Sequence, residues 1–526
     1  MLRLTARLVL VTLGAACHVA GPAGPSTEPP RLVVLLVIDQ WPEWAFDLKR
    51  PHLHGGGFDR LLAEGEWHVG QHPSAATTTA PGHALLGTGE PPATSGILAN
   101  AWWHRDVGRL LAATEGSDGE PTDDWLRAPG LGESVAAAHT GARAVSIALK
   151  ERAAILMLGH AGLRLWYDGP RGAWTTFGGA SPAWVRGREA AVPLAARVHA
   201  SWVASDPAEL ARLSGGSDSA PGEIGEEGFG AAFPHDPDKT PSASDAVFAT
   251  PLGNDLVLEM ATAALAGEHL GADAVPDLLA LSLSAHDYVG HGWGQESWEM
   301  WDMELRLDRA LAGFLTALDV QVGAGKWALI VTSDHGVSPM PERTPHGGRL
   351  TYGQLAVAAN RAASAELGPG EWVADARYPT VYLSAAALAL PAHERDMAVK
   401  KIVFALRSFP GLARVERTAD VAGHCETRTG DDFALCLALD PERSGEIAYV
   451  PAPGWVTVVD DEPEATAHGS LHSYDREVPV IMLPPGRVPH APLAIHDGTT
   501  IQMVRIATVL ARWLGVTPPT NLRRHR

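Results

Sequence analysis

Three uninterrupted apolar runs constrain the fold of this chain more than any other feature. Leu32 to Ile38 (LVVLLVI), Asp277 to Ser284 (DLLALSLS) and Trp327 to Thr332 (WALIVT) show no regular alternation of polar and apolar residues. A strand with one wet face alternates, whereas an unbroken Leu/Val/Ile run belongs to a strand buried on both faces. Such strands predict an α/β domain built on a mostly parallel central sheet with helices covering both faces. Each run leads into an acid: Asp39, Asp287 and Asp334. Ligands of open α/β sheets bind beyond the carboxyl ends of the strands. Three acids delivered to one edge therefore predict a site there.

The companions of these acids have ligand chemistry. Asp287 and His291 are four residues apart, so one helical turn brings both side chains to the same side. An oxygen and a nitrogen donor so placed suit a borderline ion such as zinc. Asp334 is followed directly by His335, and His468 lies between Ala467 and Gly469, ahead of a further strand from Val478 to Leu483. Gln295 to Val320 reads as a long helix with Leu307, Leu311, Phe314, Leu315 and Leu318 inward.

Between these elements, Pro73 to Gly89 (PSAATTTAPGHALLGTG) carries Thr77, Thr78 and Thr79 ahead of an Ala80-Pro81-Gly82 break. Pro81 suits the first turn of a helix, where its missing N–H is unpaired in any case. That places Thr79 near the N-cap, where backbone N–H groups and the helix dipole favour negative charge. A hydroxyl there is well sited to meet a phosphoryl group. Asn100 is an amide that can donate to an oxyanion, and Trp102 and Trp103 are either a pocket wall or packing. Lys150 and Arg152 interrupt the apolar, strand-like segment Ala144 to Leu158 and point the same way from a strand. Enclosed cations of that kind are costly unless an anion meets them.

Residues 1–30 read as a signal peptide and linker: Arg3 and Arg7, an apolar stretch from Leu8 to Leu13, then Gly14, Ala15, Ala16 and Cys17. The chain is thus expected to be exported, periplasmic or secreted. Cys17 is similar to a relaxed lipoprotein site, and a lipid anchor on the outer membrane is the alternative; the apolar stretch is too short for a membrane span. Residues 31–526 are expected to form one domain, with an insertion at about 160–245, loop-rich from Ser214 to Ser244, and a peripheral lobe at about 370–461. Thr500 to Leu514 closes the domain as an amphipathic helix. Cys425 and Cys436 suggest one disulfide in an exported chain. The net charge of −20 argues against nucleic acid as a partner. It requires that any anion site carry its own local positive charge. Nothing in the sequence specifies an oligomer.

Taken together, VIDQ, TAPGH, GILAN, LKERAAIL, HDYVGH, TSDHG and AHGS resemble, in matching order from Leu32 to Leu514, the alkaline phosphatase superfamily. The likeness is to its branch with a threonine nucleophile, shared by PafA-type phosphate monoesterases and nucleotide pyrophosphatase/phosphodiesterases. The resemblance implies two Zn²⁺. One would be held by Asp287, His291 and His468, the other by Asp39, Asp334 and His335, with Thr79 as a further ligand and the nucleophile. Thr77 and Thr78 are register alternatives, against which the TAPGH spacing speaks. Two such ions about 4 Å apart stabilise both oxygens of an in-line displacement. Asn100, Lys150 and Arg152 match the phosphoryl-binding residues of the monoesterase branch, and the diesterases generally lack the basic pair. Three carboxylates and an alkoxide nearly balance two Zn²⁺, so this pair leaves an excess suited to a monoester dianion. Small-molecule phosphate monoesters are the expected substrates, turned over through a phosphothreonine intermediate; the alternative is a phosphodiesterase or nucleotide pyrophosphatase on the same scaffold.

Overall fold

The missing polarity alternation of the first apolar run becomes an alternation of direction. In a computed structural model that describes residues 29–226, 228–486 and 495–519, the strand Leu32–Ile38 is fully buried. Val33, Leu35 and Val37 enter one core with Leu86, Ile155 and Leu510. Leu32, Val34, Leu36 and Ile38 enter a second with Leu265, Phe314 and Leu315 on the other face. This is the layered arrangement expected of a sheet clad on both sides.

Among the described residues the main sheet has nine strands, in the order Ile495–Gln502, Glu66–Gln71, Glu477–Leu483, Trp327–Thr332, Leu32–Ile38, Asp277–Leu283, Ala144–Ala148, Leu163–Asp168, Ala173–Thr176. The central strands are parallel, with Ile38 opposite Leu283 and Val37 opposite Thr332. That register ends all three apolar runs at one rim. Glu477–Leu483 is inserted antiparallel between Trp327–Thr332 and Glu66–Gln71. Its amino end therefore lies at the rim where the two strands flanking it end, which is how His468, just upstream, returns to the site.

Several boundaries differ from the sequence expectation. The helix carrying Thr79 spans Thr79–Thr88 with Thr78 as N-cap, so Pro81 is its third residue. That position is tolerated because its N–H, too, would have no partner inside the helix. Lys150 and Arg152 do not share a strand. The strand ends at Ala148, Lys150 caps the helix Glu151–Leu158 and Arg152 is in its first turn. The closing helix spans Ile506–Leu514, because Thr500 to Gln502 finish the last strand. The long helix spans Trp298–Leu318 and buries the five residues named above.

Within 160–245, Leu163–Asp168 and Ala173–Thr176 extend the main sheet, and the helices Ala183–Ala191 and Pro207–Ser214 precede the loop-rich stretch. In the region of the peripheral lobe, Val373–Arg377, Thr380–Leu383, Ile447–Pro451 and Leu412–Arg417 form an antiparallel sheet. It packs on the helices Tyr352–Leu367 and Ala392–Leu406 around a core of its own. Cys425 and Cys436 are joined by a disulfide. The signal-like segment and Cys17 lie outside the described residues. No helix among the described residues is long and apolar enough to cross a membrane.

Candidate metal centre and phosphoryl site

The common rim brings Asp39, Asp287, Asp334, His335 and His468 together. Asp39, Asp334 and His335 offer ligand atoms within 4.8 Å of one another, and so do Asp287, His335 and His468. His335 thus belongs to both groups, its ring stacked 3.7 Å from that of His468. His291 joins through Asp287, with Nε2 3.3 Å from Oδ1, on the helix Ala285–Trp293. The expected four-residue spacing is realised, although the tightest grouping pairs Asp287 and His468 with His335.

All three imidazoles are oriented alike. Nδ1 of His335 lies 2.8 Å from the carbonyl of Gly336, that of His468 2.8 Å from Thr77, and that of His291 2.9 Å from Thr466. A carbonyl on Nδ1 fixes the proton there and turns the Nε2 lone pair inward, the arrangement of metal-ligating histidines. Burial lowers the pKa of both His335 and His468, keeping them neutral. Glu464 and Asp287 outweigh burial at His291 and raise its pKa well above the usual range, so a cation bound there would have to displace the Nε2 proton.

The carboxylates complete the donor set. Asp39 Oδ1 is buried without a hydrogen-bond partner among the described residues, and Asp334 Oδ2 lies 3.1 Å from His83 Nδ1. Burial and the neighbouring charge of Asp334 push Asp39 well above the usual carboxylate range. Burial opposes ionisation of Asp334 too, but His335 and His83 outweigh it and hold that carboxyl far below its ordinary value. Clustered buried carboxylates facing neutral imidazole lone pairs demand cations. The oxygen and nitrogen donors present fit divalent zinc.

Thr79 lies beside this cluster, fully buried, its Oγ1 3.5 Å from both His335 Nε2 and Lys150 Nζ. Gly82, one turn on, is pressed against the Asp334 backbone so closely that a Cβ would run into its carbonyl. Asn100 Oδ1 accepts from the Ala80 N–H at 2.8 Å, an otherwise unpaired donor of the helix start. That bond leaves the Asn100 NH₂ as the end able to donate to an oxyanion. Arg152 and Asn100 share a cavity of about 310 Å³ with Thr78, Asp287, His291 and His468. Arg152 Nε is buried and lacks a hydrogen-bond partner among the described residues. Lys150 instead reaches across the two metal-ligand groups, 2.7 Å from Asp39 Oδ2 and 2.5 Å from Asp287 Oδ2. Trp102 is buried among Ala80, Ala84 and Leu98, so packing is its role.

Gln40 was not singled out by sequence reasoning, although it closes the VIDQ motif. It is buried with φ +59°. Its Nε2 donates to Asp287 Oδ1 at 2.9 Å and its backbone N–H to Asp334 Oδ1 at 3.3 Å. Gln295 Nε2 donates to its carbonyl at 3.0 Å. A Cβ at Gly290 would collide with the Gln40 amide oxygen, which explains the glycine in HDYVGH. The lobe residues Tyr352, Arg377, Tyr378 and Thr457, which wall the cavity, also carried no sequence signal.

Comparison with known proteins follows the same lines. The family model for type I phosphodiesterase / nucleotide pyrophosphatase matches residues 33–475. Alkaline phosphatase PafA of Elizabethkingia meningoseptica is 27% identical over 489 residues, covering 86% of this chain and 87% of its own. A Myroides odoratus protein named calcium-transporting ATPase is 28% identical over 486 residues, 88% of each chain. The crystal structure of wild-type alkaline phosphatase PafA matches at TM-score 0.82 and 25% identity, over 94% of this chain and 97% of that one.

Proposed function

The chain belongs to the type I phosphodiesterase / nucleotide pyrophosphatase family and is a phosphatase, and on that premise we propose that it hydrolyses phosphate monoesters through a phosphothreonine at Thr79. The position of Thr79 carries the reading: a buried hydroxyl at a helix amino terminus, within 3.5 Å of His335 and Lys150. Two zinc ions are the cofactors we assign to the two carboxylate–imidazole groups, where they would supply Lewis acidity for the attacking and departing oxygens. Asp39, Asp334 and His335 would hold one ion, Asp287, His291 and His468 the other.

Thr79 Oγ, its proton passed to solvent water, attacks phosphorus as the bond to the ester oxygen breaks. The alcohol leaves as alkoxide and is protonated by water. Water then cleaves the phosphothreonine, releasing phosphate and regenerating the hydroxyl. Arg152, whose fork can take two oxygens at once, and the Asn100 amide orient the phosphoryl group. Lys150 adds the cationic charge that favours a dianion.

We assign the enzyme to an exported, oxidising compartment. The signal-like N-terminus supports this, as does the Cys425–Cys436 disulfide.

The Thr79→Ala variant, purified with its zinc content intact, is expected to lose turnover of an aryl phosphate. Wild-type turnover would overturn the nucleophile assignment. The family's diesterase members keep a second reading open to measurement: a matched methyl phosphodiester with kcat/KM above that of the monoester would establish it.

A further inference from the structure

In an in-line displacement the leaving group departs on the side opposite the nucleophile. With Thr79 beside His335, that side is the cavity of about 310 Å³ lined by Asp287, His291 and His468. The lobe closes it with Tyr352, Arg377, Tyr378 and Thr457, and Glu462 stands at its exposed rim. Arg377 ends the strand Val373–Arg377, its guanidinium 4.4 Å over the Tyr352 ring. Stacking fixes the plane of the guanidinium and leaves its N–H edge free to donate. Its Nε is buried without a hydrogen-bond partner among the described residues. Asp375 lies 3.9 Å away, beyond hydrogen-bond reach. The buried Nε is shut off from the cavity, but the side chain as a whole is 23% exposed, so the terminal N–H groups of the guanidinium are the donors that a ligand oxygen in the cavity can reach.

Charge selects the kind of ligand. Arg152 faces the phosphoryl group, Asp287, His291 and His468 are in the metal group, and Glu464 is engaged with His291 at 3.3 Å. Arg377 and Glu462 remain, and Asp375, 3.9 Å from the Arg377 guanidinium, already offsets its charge. The wall thus offers a strong donor, a strong acceptor, the Thr457 hydroxyl and two tyrosine rings, with no excess positive charge to call for an anion. A polyhydroxy alcohol matches it, because its hydroxyls accept from Arg377 and donate to Glu462 while its C–H face covers a ring. A bare aryl group satisfies neither polar residue, and a carboxylate would be repelled by Glu462.

Resting on the monoesterase reading above, we propose that Arg377 and Glu462 select phosphate esters of small polyhydroxy alcohols. The test measures kcat/KM for β-glycerol phosphate, phenyl phosphate and para-carboxyphenyl phosphate on wild type, Arg377→Met, Arg377→Lys and Glu462→Gln. The glycerol-to-phenyl ratio should fall about tenfold or more in Arg377→Met and Glu462→Gln, with partial recovery in Arg377→Lys. An unchanged ratio, or a loss confined to the carboxyphenyl ester, overturns the proposal. Should Arg377→Met not fold, the ratio in Glu462→Gln decides alone. Retained turnover in Thr79→Ala would instead sink the underlying mechanism, whatever the ratios.

Discussion

The Lys150 ammonium sits 2.7 Å from Asp39 Oδ2, with both side chains buried. Burial alone would lower the pKa of Lys150, but Asp287 and Asp39 outweigh it and hold the ammonium protonated above its ordinary range. Removing one partner of a buried pair strands the other's charge, at a cost of about 3 kcal/mol or more. Lys150→Met should therefore lose about that much stability in excess chelator. It should lose clearly less in zinc, which supplies the carboxylates with another cation. Urea unfolding under both conditions checks this, and an equal deficit in both would show that Lys150 is not their counter-charge.

Arg152 has a buried Nε with no partner among the described residues and lines the cavity next to Asn100. A phosphate monoester presents one more anionic oxygen than a diester. Arg152→Met should reduce kcat/KM for an aryl phosphate by about 10²- to 10³-fold and reduce a methyl aryl phosphodiester far less. Equal losses on the two substrates would remove Arg152 from dianion recognition.

Gln40 touches a carboxylate of each candidate metal-ligand group, Asp287 and Asp334. Groups that orient ligands typically alter metal affinity by about 10- to 100-fold. Gln40→Ala should weaken zinc binding by about that factor in competition with a chromophoric chelator, and much of its kcat should return at saturating zinc. Unchanged affinity would leave Gln40 a packing residue only.

Glu299 gives a pH signature away from the metal ligands. Its Oε1 lies 3.0 Å from His235 Nε2, both side chains buried. Burial pushes the Glu299 carboxyl up to about 9 and the His235 imidazole down to about 4. Between those limits the pair holds one proton, on the carboxyl, donated to Nε2. In the unfolded chain the ordinary values are 4.5 and 6.5, so above pH 6.5 that chain holds none. The folded state binds the extra proton from there to about pH 9, so stability falls as pH rises, by about 1.4 kcal/mol per unit. Glu299→Gln, neutral at every pH, should gain steadily on wild type across this window in urea midpoints. Parallel curves would show that Glu299 is ionised in the fold.

What could be read from the sequence follows from how local each signal is. Leu32–Ile38 and Trp327–Thr332 begin and end where their apolar runs do, because burial on both faces leaves no freedom of register. Asp39, Asp287 and Asp334 were legible as strand-end acids, and His291 by its helical spacing. Lys150 and Arg152 were found as chemistry but placed on a strand. The segment Ala153 to Leu158 is made of Ala, Leu, Met and a single Ile, good helix formers that take over after Ala148. Gln40 was invisible because its importance lies in a left-handed backbone and contacts across 247 and 294 residues. Arg377 and Tyr352 carry no spacing rule, since the strand Val373–Arg377 and the helix Tyr352–Leu367, both outside the main sheet, bring them to the cavity.

The antiparallel strand Glu477–Leu483 has a consequence for synthesis. Glu66–Gln71 pairs only with that strand and with Ile495–Gln502 among the described residues, so it leaves the ribosome long before its neighbours exist. The exposed side of Trp327–Thr332 waits for the same late arrival. His468 emerges just ahead of it, so a nascent chain can neither finish its sheet nor bring the candidate ligands together until that strand has been made. A chain stalled before Leu483 therefore presents open hydrogen-bonding edges to its neighbours, together with a half-built cluster of acids.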